Sequence, residues 1–376
     1  MAGVPAVALV AVGDPESPQT WSGTVAGVLH ALRALGVQTH AVDLTLPAGA
    51  EQAMLAAGAL ATRNRFDAQS AALTMRVRTI LARLHLRGVR LDGAIQVGTN
   101  VLLPAGLPFV TLEDMTLRQG RSVHPVFSRM SQAGIAAWER RRRGIYARAR
   151  VCAAASHWAA ESLLDDYGLA PERVAVVGLG PNHTIDDGRR ARDWQTPRFL
   201  FVGIDWERKG GPLLVRAFSR LRQERPDATL DVVGGHPPLR EPGVNAHGVL
   251  SFAHAGDREL LSELFARATC FVMPSQVEPF GIVHIEAATA GLPSIGTSVG
   301  GPRDVIGTDA GVVVAPGDEQ ALVHAMRRLS DPACAREMGA AARRRARLYT
   351  WPQTAERLLR ALNVQLPDGR ALVAPL

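Results

Sequence analysis

Two glutamates stand eight residues apart in VEPFGIVHIEAATAGLP, residues 277–293, and both are set among apolar neighbours. Glu278 precedes a Pro-Phe-Gly turn. Glu286 lies inside GIVHIEAATAG, a stretch that reads as a helix apolar nearly all round and therefore interior. An interior carboxylate without a partner is costly. An arginine satisfies it, and so do capped backbone groups. A ligand's hydroxyls also serve: a ribose offers two adjacent ones to a single carboxylate. Glu278 stands just ahead of the helix start, where the amides of Phe280, Gly281 and Ile282 have no intrahelical acceptor. Such a loop suits a polar, hydroxyl-rich ligand, and the two acids together point to a nucleotide.

Three loops have the composition to approach an anion. GIDWERKGG, residues 203–211, follows a strand and precedes a helix, so its backbone N–H groups and the helix N-terminus favour phosphate. Arg208 and Lys209 add mobile positive charge there. Taken alone, this loop is better read as a tight turn with exposed basic residues. SVGGPRDVI, residues 298–306, places Gly300 and Gly301 before another helix. Near the N-terminus, Ser22, Gly23 and Thr24 open an apolar-periodic helix, where Ser or Thr also serves as an ordinary N-cap. The Gly178-Leu-Gly180 pair carries no phosphate implication.

Smaller candidates have plainer readings. His284 is a packed helix residue, Ser275 a turn former, and His124 and His157 structural or surface histidines. The pairs Asp165-Asp166 and Asp186-Asp187 hold no metal, because neighbouring carboxylates on a helix or strand point apart. Three widely spaced cysteines, Cys152, Cys270 and Cys334, form neither a disulfide framework nor a zinc pattern. The opening residues MAGVPAVALVAVGDP lack the basic start of a signal peptide, and no apolar run reaches the ~18 residues of a membrane span. A reducing cytoplasm is expected.

The formal charge is +7, with arginines clustered in WERRRRGIYARAR (138–150) and AARRRAR (341–347). Nucleic acid, an anionic membrane surface, an anionic substrate or simply solvated helix faces account for such runs. Stacking motifs, zinc fingers and heptads are missing, so nucleic acid is not expected. A peripheral membrane contact through residues 141–143 is compatible with the rest.

These residues require elements to hold them. Short apolar runs at 6–12, 37–42, 93–97, 109–112, 151–155 and 174–178 alternate with helical patterns, as do runs at 198–202, 230–234, 246–251, 270–273, 294–297 and 312–315. Continuous apolar strands separated by helices predict parallel sheets covered on both faces. Two α/β, doubly wound, Rossmann-like domains follow: residues 1–180, then a polar linker at 181–197, then 198–350. In such sheets ligands bind outside the carboxyl ends of the strands, and two facing domains would share the site.

At this level of detail the chain resembles a known family. EPFGIVHIEAATAGLPSIGTSVGGPRDVI is similar to the signature of the retaining GT-B glycosyltransferases of family 4, and FLFVGIDWERKGGPLLVRAF to their strand, phosphate loop and helix. SHWAAESLLDDYGLAPERVAVVGLG resembles the end of their first domain, and Tyr349-Thr350-Trp351 the point where a C-terminal helix, here 351–376, crosses back. The likeness implies a GT-B fold and a hexosyltransferase that moves a sugar, with retention, from a UDP-, GDP-, ADP- or dTDP-sugar to a small-molecule, glycan or lipid-linked acceptor. It implies no resident cofactor or metal, and a location in the cytoplasm or at the inner membrane face. Carried over, Glu286 binds the ribose, and Glu278 contacts the donor sugar beside Phe280 and Gly281. Lys209 and Arg208 face the diphosphate. Gly203, Gly23 and Gly300 approach the donor, and Glu113 with Asp114 falls on the acceptor side. The chain departs from the pattern at Ile204, where the family has an arginine, and at Glu113, where many members have a histidine. A pseudo-glycosyltransferase, a sugar-nucleotide epimerase and a non-catalytic basic binding protein are the alternatives.

Overall fold

The computed structural model describes residues 4–62, 72–123, 129–183, 192–251 and 253–376. Two compact units divide the chain: Met1–Gly180 with Trp351–Leu376, and Pro181–Thr350. The linker expected at 181–197 falls partly outside the described residues, as do His124 and the Asp186-Asp187 pair.

The first unit is a six-stranded sheet of β1 (Ala6–Ala11), β2 (Gln38–Asp43), β3 (Gly93–Val97), β4 (Phe109–Glu113), β5 (Val151–Ala154) and β6 (Val174–Val176). Every pairing is parallel, in the order β2-β1-β3-β4-β5-β6. Helices α1 (Thr24–Ala34), α2 (Ala48–Thr62), α3 (Ala72–His85), α4 (Leu117–Val123), α5 (Gln132–Arg148) and α6 (His157–Asp165) accompany it. β3 and β4 are buried along their whole length, as a doubly covered parallel sheet requires.

The second unit repeats the plan with β7 (Arg198–Val202), β8 (Thr229–Val233), β9 (Val244–Gly248), β10 (Cys270–Val272), β11 (Ser294–Thr297) and β12 (Gly311–Val314), in the order β12-β11-β10-β7-β8-β9. Its helices are α7 (Gly211–Glu224), α8 (Ala255–Arg267), α9 (Ile282–Thr289), α10 (Pro302–Ile306), α11 (Glu319–Arg328) and α12 (Pro332–Ala346). Phe199, Phe201, Phe218, Phe265 and Phe271 are fully buried in its core. At about 1.5–3 kcal/mol each, such rings dominate the apolar contribution.

α13 (Trp351–Leu362) returns the chain to the first unit. Ala355, Leu358, Leu359 and Leu362 are buried there, Arg357 donates to the carbonyl of Val177 (2.8 Å), and Thr354 to that of Gly178 (3.2 Å). Gly27 of α1 admits the Trp351 indole; a methyl group at Gly27 would lie 2.3 Å from the ring.

All twelve predicted strands are present, with one displaced. β9 begins and ends earlier than the 246–251 run because it is an edge strand with no buried residue. The apolar pair after it misleads: Val249 is 65% exposed. Residues 48–62 form α2, where Ala-rich sequence favours helix.

Candidate active site

The sheet order reverses direction between β7 and β10 in the second unit, and the loops leaving their carboxyl ends are where ligands bind in such sheets. The loop after β7 is built by Asp205. Its carboxylate accepts from the Arg208 backbone N–H (3.2 Å) and from Arg208 Nε (3.0 Å), while its carbonyl accepts from Lys209 N–H (2.9 Å). Trp206 wedges beneath, edge-on to Phe201, and Gly211 leaves room for its indole. Gly203 has the Lys209 chain folded across it; a methyl group there would lie 3.1 Å from Lys209 Cγ. Gly210 takes φ +78 to start α7 and packs on the Pro274 carbonyl, so no other residue fits without movement.

Lys209 and Arg208 both turn to the loop after β10. Lys209 Nζ donates to Glu278 Oε2, and Arg208 Nη1 lies 3.7 Å from the same oxygen while donating to the Val277 carbonyl at 3.2 Å. The Lys209 and Glu278 side chains are only 15% and 9% exposed, so this pair is shielded from the screening that weakens surface ion pairs. A second glycine loop supports Glu278 from behind. Glu278 N–H donates to the Val299 carbonyl, Gly301 N–H to the Glu278 carbonyl, and Gly300 at φ +117 pairs with Glu278 as an isolated parallel bridge. Gly300 thus packs against backbone: a methyl group there would lie 1.8 Å from the Glu278 carbonyl oxygen.

Gly281, at φ +84, starts α9 between Glu278 and His284. Phe280 is buried with its ring against Tyr349. His284 is wholly buried, edge-on to Phe271, and neither ring nitrogen has a partner among the described residues. Burial, aided by the nearby Lys209 charge, lowers its pKa to about 3, so the ring is neutral.

Glu286 is likewise buried, and no arginine meets it among the described residues. Its Oε1 accepts from the Asn182 backbone N–H at 3.2 Å. Burial raises its pKa to about 7, against the opposing pull of backbone hydrogen bonds from Asn182 and His183. The interior acid is therefore held by backbone amides at the start of the second unit.

The remaining candidates lie in the first unit. Gly23 precedes α1 at φ +85, and the two residues before it, Trp21 and Ser22, also take left-handed conformations at φ +51. Backbone strain of this kind, about 1–3 kcal/mol per residue, concentrates at functional loops. Trp21 packs on Gly98 and shares a recess with Thr24, Val97, Leu112, Asp114, Ala155 and Leu179. Glu113 is fully engaged inside the unit. Its oxygens accept from Thr99 Oγ1 (2.6 Å), Arg142 Nη1 (3.0 Å) and the Tyr146 hydroxyl (2.5 Å). Asp114 lines the recess while Glu113 does not. Ile204, in the arginine's place, is 77% exposed.

Several arginines of the two runs are taken up by contacts within the protein. Arg142 is committed to Glu113, and Arg143 donates to the carbonyls of Asp166 and Tyr167 at the end of α6. Arg343 reaches the Ala290 carbonyl after α9, and Arg345 those of Asp304 and Val305 in α10. Guanidinium groups here cap helix C-termini, where the backbone is partially negative. Sequence reading missed Asp205, Trp206, Trp21 and the Asn182 amide. Only the Asp205-x-x-Arg208 spacing, typical of a side chain folding onto its own turn, offered a signal.

Comparison with known proteins bears on the same residues. Residues 196–331 match the family described as "Glycosyl transferases group 1". The chain is 36% identical over 186 residues to a glycogen synthase of Mycobacterium tuberculosis, covering 45% of this chain and 44% of that protein. It is 33% identical over 225 residues to a D-inositol 3-phosphate glycosyltransferase of Streptomyces avermitilis, covering 52% and 48%. The chain thus spans about half the length of the curated relatives it matches. Among solved structures, sucrose-phosphate synthase from Thermosynechococcus elongatus superposes with a TM-score of 0.69 at 20% identity, covering 96% of this chain and 98% of that one. The Anabaena protein HepE, solved with UDP and glucose, gives 0.60 at 14% identity, covering 96% and 99%.

Proposed function

We propose, from the match of residues 196–331 to the group 1 glycosyl transferases and the GT-B fold along the chain, that this protein transfers a sugar from a nucleotide-diphosphate donor to an acceptor hydroxyl, with the anomeric configuration retained. One observation carries the reading: two cations from the loop after β7 converge on one carboxylate from the loop after β10. In the structure they satisfy each other. A donor replaces both halves of that contact at once. Its diphosphate takes Lys209 and Arg208, and its sugar hydroxyls take Glu278.

The cations then face the group on which negative charge grows as the glycosidic bond breaks, so their stabilisation is larger in the transition state than in the ground state. Glu286 receives the ribose hydroxyls in the same reading. Retention follows from attack on the face the leaving group departs from, with a phosphate oxygen taking the acceptor's proton. No resident cofactor is required. The acceptor is a small molecule, a glycan or a lipid-linked sugar, and the protein works in the cytoplasm.

A thermal-shift panel of UDP-, GDP-, ADP- and dTDP-sugars tests the donor half, because a ligand bound only by the folded state raises the melting temperature. UDP-glucose is the first member, since HepE was solved with UDP and glucose. Nuclear magnetic resonance of the product tests retention. An inverted anomer, or no shift with any donor, refutes the proposal. Return of an altered free sugar nucleotide without acceptor consumption identifies an epimerase instead.

A further inference from the structure

The first sheet has a reversal point of its own. β1 has β2 on one side and β3 on the other, and in doubly wound sheets ligands bind at the carboxyl ends of the strands beside such a point. The loops leaving β1 and β3 meet there through one contact. The Trp21 indole lies on Gly98, and a methyl group at Gly98 would sit 2.7 Å from Trp21 Cζ2. Gly98 takes φ +74, so glycine supplies both the room and the backbone conformation. Left-handed backbone at Trp21 and Ser22, unfavourable for residues with a Cβ, holds the indole in place while 36% of Trp21 stays exposed. Strain that keeps an indole partly in solvent does not serve core packing.

Trp21 also borders the recess over these strand ends. Val97, Leu112, Ala155 and Leu179 give the recess apolar walls, and Asp114 is the one charged residue lining it among the described residues. Its volume of about 10 Å³ admits one water-sized group and no ring. A ligand here places one small group inside and keeps the rest outside, against the indole.

Resting on the sugar-transfer reading, which calls for an acceptor hydroxyl, we propose that Trp21 and Asp114 form a subsite that takes the acceptor as a ring-shaped polyol such as a pyranose. One hydroxyl enters the recess and donates to the Asp114 carboxylate, while a C–H face of the ring lies on the indole. An ionised carboxylate only accepts, so it selects a donor such as a hydroxyl. The negative face of the indole attracts the partly positive C–H hydrogens that a pyranose presents on one side of its ring. An open-chain polyol has the hydroxyls but no flat face to stack, and it loses more conformational freedom on binding. A phosphate group is repelled from the recess by Asp114. The acceptor class thereby narrows to molecules whose docking unit is an uncharged ring.

Thermal shift and tryptophan emission of the full chain, with and without UDP, test the subsite. The ring probes are the methyl α-D-pyranosides of glucose, galactose and mannose, and D-glucitol is the open-chain control. At least one ring probe should bind saturably at roughly millimolar concentration, the scale of one stack and one charge-assisted hydrogen bond, and D-glucitol about tenfold more weakly. Trp21→Ala should weaken ring binding about tenfold, and Trp21→Phe should restore most of it because the phenyl ring keeps an aromatic face. Asp114→Asn should weaken it about tenfold at an unchanged melting temperature. Should Trp21→Ala disturb the loop, the D-glucitol comparison still reads the stack in wild-type protein, and equal affinity for both probe types removes it. Failure of every ring probe to bind overturns the subsite, as does undiminished binding by Trp21→Ala and Asp114→Asn. Tighter binding of the ammonium form of D-glucosamine than of methyl glucoside overturns it in favour of a cationic ligand. Sugar-nucleotide shifts in the same samples keep two failures apart. With a donor shift present, a missing ring response counts against the subsite alone, whereas no shift with any donor counts against sugar transfer itself.

Discussion

Lys209 and Glu278, 69 residues apart in sequence, are bonded to each other across the reversal point of the second sheet. The pair explains how two opposite charges remain so little exposed, and it makes their removal asymmetric. Glu278→Gln leaves Lys209 and Arg208 facing a neutral amide and still available to a diphosphate. Lys209→Ala removes the charge itself. The expected loss on Lys209→Ala is about a hundredfold in kcat, as for an oxyanion donor. Single-turnover rates at saturating donor check this, and an unchanged rate removes Lys209 from the chemistry.

Glu286 should make donor affinity depend on pH. Its pKa is raised to about 7, so the folded protein keeps a proton that the unfolded chain releases near its ordinary value. The ionised form is therefore the less stable one, and stability from this group falls as pH rises toward 7. Ribose hydroxyls donate to the ionised form. Affinity for a sugar nucleotide, whose diphosphate diester does not titrate in this range, should rise up to about tenfold per pH unit below 7 and level off above it. Calorimetric titrations from pH 5.5 to 8.5 measure this, and Glu286→Gln should flatten the curve. A flat wild-type curve separates Glu286 from the ligand.

His284 should be replaceable. A buried ring with no partner for either nitrogen costs more than an apolar group of similar size. His284→Leu is expected to leave turnover unchanged and to raise stability by about 1–2 kcal/mol at neutral pH. The gain should grow on acidification. The unfolded histidine protonates near pH 6.5 and the folded one only near 3, so the wild type loses stability as pH falls between them. Denaturant midpoints at pH 5 and 7.5 test the sign. A collapse in activity with an intact fold gives His284 a catalytic task.

Glu113 and Asp114 should separate cleanly. Glu113→Gln leaves Arg142 buried opposite a neutral group, a change expected to cost about 3 kcal/mol or more. Asp114→Asn, at the recess beside Trp21, should preserve the melting temperature and act on acceptor kinetics alone. Equal destabilisation by the two substitutions defeats this division.

Much of the molecule was legible before any coordinates. Twelve apolar runs gave twelve strands, because a sheet covered on both faces imprints a local, continuous signal on each strand. β9 slipped because an edge strand with no buried residue lacks that signal. The loops bearing Arg208, Lys209 and Glu278 were identifiable from glycines that only close approach or left-handed backbone requires. That the three side chains meet was not, since the sheet order that brings β7 beside β10 is not written locally.

The sequence alone determined the succession of strands and helices, the chemical types available at each loop and the likeness to a family of sugar-transferring enzymes. These depend on residue spacing over one element or one turn, where propensity and periodicity act directly. The tertiary structure decided which charges are free for function. It sent Arg142 inward to Glu113, set Arg343 and Arg345 on helix ends, gave Glu286 the amides near Asn182, and left Arg76 and Arg83 of α3 in solvent while pairing Arg78 with Glu51. A charge's partner is fixed by whatever long-range packing brings within a few ångströms of it, and desolvation makes that choice decisive.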